Sequence, residues 1–284
     1  MTFPQRQLLP TDFPALLREI PDVPSSLYIR GTMPPPDHTL LCVVGSRATS
    51  TYGRRVCASL IAGLAPYPIT IVSGMALGID AEAHTAALDA GLPTIAVLPS
   101  SLDQQSLYPA TNRPLAARIL KEGGALISEY GEPHKAMVYD FPKRNRIVAG
   151  ISHAALIIEA GEKSGTLITA RLALDYNREV LAVPHELGTK TGEGVNRLIR
   201  EGATLVRSAD DIVQALGIKP PTQAALPVDL TASELKVLET LLEPLERDEL
   251  IEESSLDIHD LTIALSSLSI RGLIIERLGK IERC

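Results

Sequence analysis

The sequence predicts an α/β protein in which a doubly wound, mostly parallel sheet carries helices on both faces and a small helical module follows. Two observations carry that expectation. From Leu40 to about Val206, short apolar runs alternate with longer stretches of helical period. Such runs read as buried parallel strands, and strand–helix alternation winds helices over both sheet faces. After residue 229 the alternation stops and helical patterns follow one another directly.

In chain order, residues 1–37 are rich in proline and hold one short helical segment, Asp12-Phe13-Pro14-Ala15-Leu16-Leu17-Arg18-Glu19-Ile20, between pieces expected to be irregular. Met33-Pro34-Pro35-Pro36 closes this extension. Residues 38–217 form the sheet domain, with strands expected at Leu40–Val44, Ile69–Val72, Thr94–Leu98, Ala125–Ile127, Ala154–Ile158, Val180–Val183 and Thr204–Val206. Helical patterns such as Ile79–Ala90 and Leu167–Tyr176 lie between them. Residues 218–228 read as a linker. In residues 229–284, helices are expected at Ala232–Leu242, Arg247–Glu253 and Asp257–Arg271, the last with Ile258, Leu261, Leu265 and Leu268 as a buried stripe. A hairpin follows, Leu273–Arg277 with Lys280–Arg283.

Composition narrows the function classes. The chain has 284 residues, is 45% hydrophobic and 21% charged, and carries a formal net charge of −7. No apolar stretch approaches the ~20 residues a membrane helix needs, and the expectation is a cytoplasmic protein without a membrane partner. Cys42, Cys57 and Cys284 form no CxxC pair, so neither a disulfide framework nor a zinc site is expected, and no cofactor or metal. Residues 229–284 hold 13 acidic and 6 basic side chains, which is the whole net charge, and residues 1–228 are neutral. A nucleic acid must then be held by a local patch on the neutral part, with the acidic end opposing it.

In doubly wound sheets ligands bind beyond the carboxyl ends of the strands. Three loops at those ends are small and polar: Gly45-Ser46-Arg47-Ala48-Thr49-Ser50, Ser73-Gly74-Met75-Ala76-Leu77-Gly78 and Gly161-Glu162-Lys163-Ser164-Gly165-Thr166. Glycines let the backbone approach an anion, and hydroxyls and helix N-termini supply donors. Together they predict a phosphate-binding crevice through Gly45, Ser46, Arg47, Ser73, Gly74, Ser164, Gly165 and Thr166. Neither a GxGxxG fingerprint nor a GxxxxGK[ST] loop is present, which disfavours nicotinamide chemistry and Walker-type hydrolysis. His84 reads as a packed or capping histidine rather than a base; Asp80 orders its turn, and Glu159 is placed to order the fifth-strand loop.

Phe141-Pro142-Lys143-Arg144-Asn145-Arg146 puts an aromatic ring and three cations within six residues. That mixture suits an anionic ligand with flat bases, the alternative being a solvated basic turn beside a helix. Arg47, Lys143, Arg144 and Arg146 are assigned to phosphates, Phe141 to a base, and Asn145 to the loop or a base edge. Four neutralised phosphates predict a log–log salt dependence of roughly −3.

Those motifs occur in a particular order. Val44-Gly45-Ser46-Arg47, then Ser73–Asp80 with Ala83-His84, Leu102-Asp103 with Tyr108-Pro109 and Asn112, Ile127-Ser128-Glu129-Tyr130, Phe141–Gly150, Glu159-Ala160 with Ser164–Ala170, and Ala182-Val183-Pro184 resemble the successive motifs of the DprA/Smf DNA-processing family over about residues 12–216. Leu77 stands where that family usually has Arg, and His185 where Gly is usual. The resemblance implies a Rossmann-like domain that dimerises, a C-terminal winged-helix module, and no catalytic activity. It also implies a role in DNA uptake and natural transformation: binding and protecting incoming single-stranded DNA and helping to load the RecA recombinase. The winged helix here is cation-poor, which favours protein contact or shielding over base readout. The alternative from another class is a small-nucleotide sensor or a phosphoribohydrolase-like enzyme, which requires a carboxylate and an arginine beside the 164–166 loop. Glu159 and Arg171 are the available pair.

Overall fold

The computed structural model describes residues 3–131, 133–219, 230–241, 244–277 and 279–283. It divides into two compact units, residues 1–220 and 221–284.

The first unit is built on nine strands: β1 (Arg6–Leu8), β2 (Leu27–Gly31), β3 (Thr39–Val44), β4 (Ile69–Ser73), β5 (Thr94–Leu98), β6 (Ala125–Ser128), β7 (Ala154–Ile157), β8 (Glu179–Ala182) and β9 (Thr204–Leu205). Their order across the sheet is β1-β2-β6-β5-β4-β3-β7-β8-β9. All seven strands from β3 onward pair in parallel, and each matches an expected run to within a residue or so at either end. The helices are α1 (Ala15–Arg18), α2 (Thr51–Ala62), α3 (Ile79–Asp89), α4 (Arg113–Lys121), α5 (Asp140–Gly150), α6 (Thr166–Asp175), α7 (Glu193–Arg200) and α8 (Ala209–Ala215).

The N-terminal extension corrects one expectation. Besides the short helix α1, it supplies β1 and β2, and β2 runs antiparallel along β6, pairing Tyr28 with Ser128 and Gly31 with Ala125. The edge that the parallel strands leave open is thereby covered by the chain's own start. Leu27 and Ile29 are buried because their period-2 spacing turns both toward the core.

The same alternation divides the core into two layers. On β3, Leu40, Cys42 and Val44 face a cluster that includes Ile147 and Val148 of α5 and Ala170 and Ala173 of α6. Leu41 and Val43 face the opposite cluster, with Cys57, Leu60 and Ile61 of α2 and Ile79 and Ala83 of α3. The chain winds outward from β3 through β4 and β5 to β6, then returns to place β7 on the other side of β3. That reversal opens the crevice where ligands of such sheets sit.

In the second unit, α9 (Ala232–Thr240), α10 (Arg247–Ser254) and α11 (Ile258–Ile270) pack with a three-stranded antiparallel sheet of order β10-β12-β11, made of β10 (Leu245–Glu246), β11 (Ile274–Arg277) and β12 (Lys280–Arg283). The three helices and the hairpin are present as expected, with β10 added. Leu261, Leu265 and Leu268 are buried, whereas Ile258 is 69% exposed. It shares the phase of the stripe, seven residues before Leu265, but is the first residue of α11, directly after the cap Asp257. Most of the expected linker, with Leu242, Leu278 and Cys284, lies outside the described residues.

Candidate functional site

At the carboxyl end of the sheet, on the β3/β7 reversal, lies a cavity of about 410 Å³. Three segments line it: Val44–Ala48 after β3, Ser164-Gly165-Thr166 at the start of α6, and Phe141, Pro142, Arg144 and Asn145 on the first turns of α5. Ala76, Asp80, Ile168 and Thr169 complete it. The structure therefore brings together Gly45, Ser46, Arg47, Phe141, Arg144, Asn145, Ser164, Gly165 and Thr166 of the expected set.

The loop after β3 is held from below. Glu159, fully buried past the end of β7, accepts hydrogen bonds from Thr49 Oγ1 (2.8 Å), Ser50 N (3.0 Å) and Ser50 Oγ (2.5 Å). Burial works against its charge, but those bonds outweigh it and hold the carboxyl below the usual range. Glu159 thus orders the loop after β3 rather than the one that follows its own strand. Ser50 also caps α2, and Gly53 is the residue there because any side chain would run into the Glu159 carboxylate. On the other side Gly78, with φ +78°, lets α3 reach the loop so that Ile79 N donates to Ser46 O (3.2 Å). Arg47 is thereby presented on a fixed, exposed loop, with its guanidinium 4.9 Å from the centre of the Phe141 ring.

Arg144 forms part of the cavity floor. It is only 6% exposed and donates to the carbonyl oxygens of Gly74 and, at 2.5 Å, Val97, joining the ends of β4 and β5. Asp80 lies beside it, accepting from Gly74 N (3.2 Å) and Ala76 N (3.3 Å). Burial pushes the Asp80 carboxyl up, against the pull of the Arg144 charge. With Arg47 and Arg144 set against one such carboxyl, and the positive end of α6 facing in, the cavity favours an anion.

Four expected residues fall elsewhere, for two physical reasons. Lys143 and Arg146 are three apart on α5, so they share a face, and it is the face opposite Phe141, Arg144 and Asn145. Lys143 points to Glu129 (3.7 Å) and over the Tyr130 ring. Arg146 is 6% exposed, pairs with Glu129 (2.5 Å) and Asp22 (3.3 Å), and donates to the Asp22 carbonyl. It ties the N-terminal extension to α5. Ser73 and Gly74 are internal: Ser73 Oγ donates to Val43 O (2.6 Å), and both polar backbone atoms of Gly74 are held by Asp80 and Arg144.

His84 is fully buried, with Nδ1 2.7 Å from Thr94 Oγ1, as a packed histidine. The Glu159–Arg171 pair that an enzymatic reading needs is not assembled. Glu159 is committed below the loop, and Arg171 pairs with Asp175 (3.1 Å). Among the described residues no group of three metal-ligating side chains comes together, and no helix is long and apolar enough to cross a membrane. Sequence reasoning gave Tyr108 no role, yet its ring meets Phe141 edge to face at 5.6 Å. Tyr108-Pro109 was one of the motifs carrying the family resemblance, so the signal was present without a chemical meaning.

The family model described as DNA recombination-mediator protein A matches residues 7–217. Protein Smf of Escherichia coli is 41% identical over 216 residues, covering 75% of this chain and 57% of that protein. DNA processing protein DprA of Streptococcus pneumoniae is 38% identical over 211 residues, covering 74% and 73%. The X-ray structure of the pneumococcal protein superposes with a TM-score of 0.68 at 36% identity, over 75% of this chain and 74% of that one. DNA processing protein A from Helicobacter pylori, whose structure describes a single-stranded DNA binding mode, superposes with a TM-score of 0.66 at 29% identity, over 75% and 96%.

Proposed function

The chain belongs to the DNA recombination-mediator protein A family, called DprA or Smf in its relatives, and on that premise we propose that it binds single-stranded DNA in the cavity at the β3/β7 reversal. The observation that carries this reading is the meeting in one cleft of an exposed cation, a helix N-terminus and an aromatic ring: Arg47, Ser164-Gly165-Thr166 and Phe141. Cation and backbone donors suit a phosphate, and the ring suits a base of any identity. Gly45, Ser46 and Asn145 line the rest, while Arg144 contributes charge from the floor. Glu159 and Asp80 act as positioning residues that hold the loops.

The wider role proposed is that of a non-catalytic mediator. The protein would protect strands taken up in transformation and help load RecA, as a homodimer, with the second unit serving as a winged-helix-like module. The chain spans 57% of the E. coli relative, and the family description supports the mediator role.

Titrating oligonucleotides of increasing length against a mononucleotide tests the reading. A strand groove gains affinity over several nucleotides. A site saturated equally well by a mononucleotide would instead favour the sensor or phosphoribohydrolase-like alternative.

A further inference from the structure

Beside the large cavity lies a recess of about 30 Å³, lined by Leu77, Tyr108, Pro109 and Gly74 and sharing Arg47, Phe141 and Arg144 with its neighbour. Phe141 therefore belongs to both linings. The recess has room for about one water and cannot swallow a base. It is a shelf: Leu77, 47% exposed, and Tyr108, 46% exposed, both line it.

From this we infer that Leu77 and Tyr108 form a second subsite, which takes the nucleobase next to the one held in the cavity. The inference rests on the reading of the cleft as a single-strand site and names what lies at its open end. Three features support it. Beyond the shared arginines the shelf adds no charge of its own, so it suits a base rather than a second phosphate. Arg47 belongs to both linings, which places its guanidinium for the phosphate linking the two nucleotides. The shelf is also fixed in place: Asn112, buried just after Pro109, donates from Nδ2 to Met75 O (2.8 Å) and Ala76 O (3.4 Å), tying the Tyr108 segment to the loop that carries Leu77. Subsites fixed in advance lose little to ordering when a strand binds.

The test compares two labelled oligothymidylates of equal length, about eight nucleotides, one intact and one with every second base removed to leave abasic sugars. Both carry the same phosphates, so their charge contributions cancel. The second still supplies a base to the cavity but none to the shelf. The wild-type protein should bind the intact strand on the order of tenfold more tightly, and Tyr108→Ala should bind the two alike. Tyr108→Phe, which keeps the ring, should restore the discrimination, and Phe141→Ala should weaken both strands. Equal binding of the two strands by the wild type, or undiminished discrimination by a folded Tyr108→Ala, would overturn the subsite while leaving the single-strand reading intact. Failure of the wild type to bind either strand would overturn that reading, and the subsite with it.

Discussion

Replacing the cleft arginine and its neighbours on α5 one at a time separates the cations that meet DNA from those that hold the fold. Arg47 is exposed on the cavity rim and Arg144 lies on its floor, whereas Lys143 and Arg146 turn to Glu129. Two cations facing the strand predict a log–log salt slope of about −1.4, at about −0.7 per phosphate, where four would give about −2.8. Between about 50 and 200 mM salt the first slope weakens binding about sevenfold and the second about fiftyfold. Arg47→Ala should bring the slope to about −0.7. Lys143→Ala should leave it unchanged, because that side chain already has a carboxylate and an aromatic face. Arg146→Ala should also leave the slope unchanged but lower the melting temperature, since it breaks the ties to Glu129 and Asp22 and leaves Glu129 only Lys143, at 3.7 Å. Fluorescence anisotropy of a labelled oligothymidylate across a salt series reads the slopes, and thermal melts read the fold. A wild-type slope near −3 that Lys143→Ala reduces would refute the assignment and put the DNA path on the other face of α5.

Phe141→Ala should weaken strand binding by about 1–3 kcal/mol, the range for a base–aromatic stack, seen as a raised Kd in the same assay; a lowered melting temperature with unchanged Kd would make the ring a packing residue. His84 gives a pH prediction. Thr94 Oγ1 donates to Ile71 O (2.9 Å), so it accepts from His84 Nδ1–H and leaves a buried, unpartnered Nε2 that has no acceptor for a second proton. Burial, with the Arg144 charge second, lowers the His84 pKa from 6.5 to about 3. The unfolded chain therefore takes up the proton first, so this stability is complete above pH 6.5 and lost as pH falls toward 3. The total is on the order of 5 kcal/mol at 1.36 kcal/mol per unit. Urea melts over that pH range should show wild type losing stability relative to His84→Gln on acidification, and parallel curves would contradict a buried imidazole held neutral. Removing the chain after Lys219 should leave strand affinity at high salt unchanged and speed association at low salt, because residues 229–284 carry the entire −7. Stopped-flow binding checks this, and much weaker binding by the truncated chain at every salt concentration would make the second unit a DNA site.

The parallel strands were legible because each is mostly apolar and bounded by turn residues, as Thr94–Leu98 between Gly91-Leu92-Pro93 and Pro99 illustrates. Arg6–Leu8 and Leu27–Gly31 were not, because an antiparallel edge with one face toward solvent keeps Arg6, Gln7 and Arg30 in its sequence, and proline on both sides reads as irregular chain. Composition located the cleft but not its membership. Three loops at strand ends announced it; two of them line it, and the third contributes only Ala76, while the Ser73 hydroxyl and the Gly74 backbone are consumed in holding the floor together. What composition could not settle, helical phase could. At about 100° per residue, Phe141, Arg144 and Asn145 fall on one side of α5 and Lys143 and Arg146 on the other, so a basic run that looks like a single patch divides in two. One half lines the cleft, and the other ties α5 to Asp22 of the N-terminal extension and to Glu129 after β6. A run of cations at the start of a helix is therefore best assigned by phase before charge, and in this chain that assignment leaves Arg47 as the cation most exposed to an incoming strand.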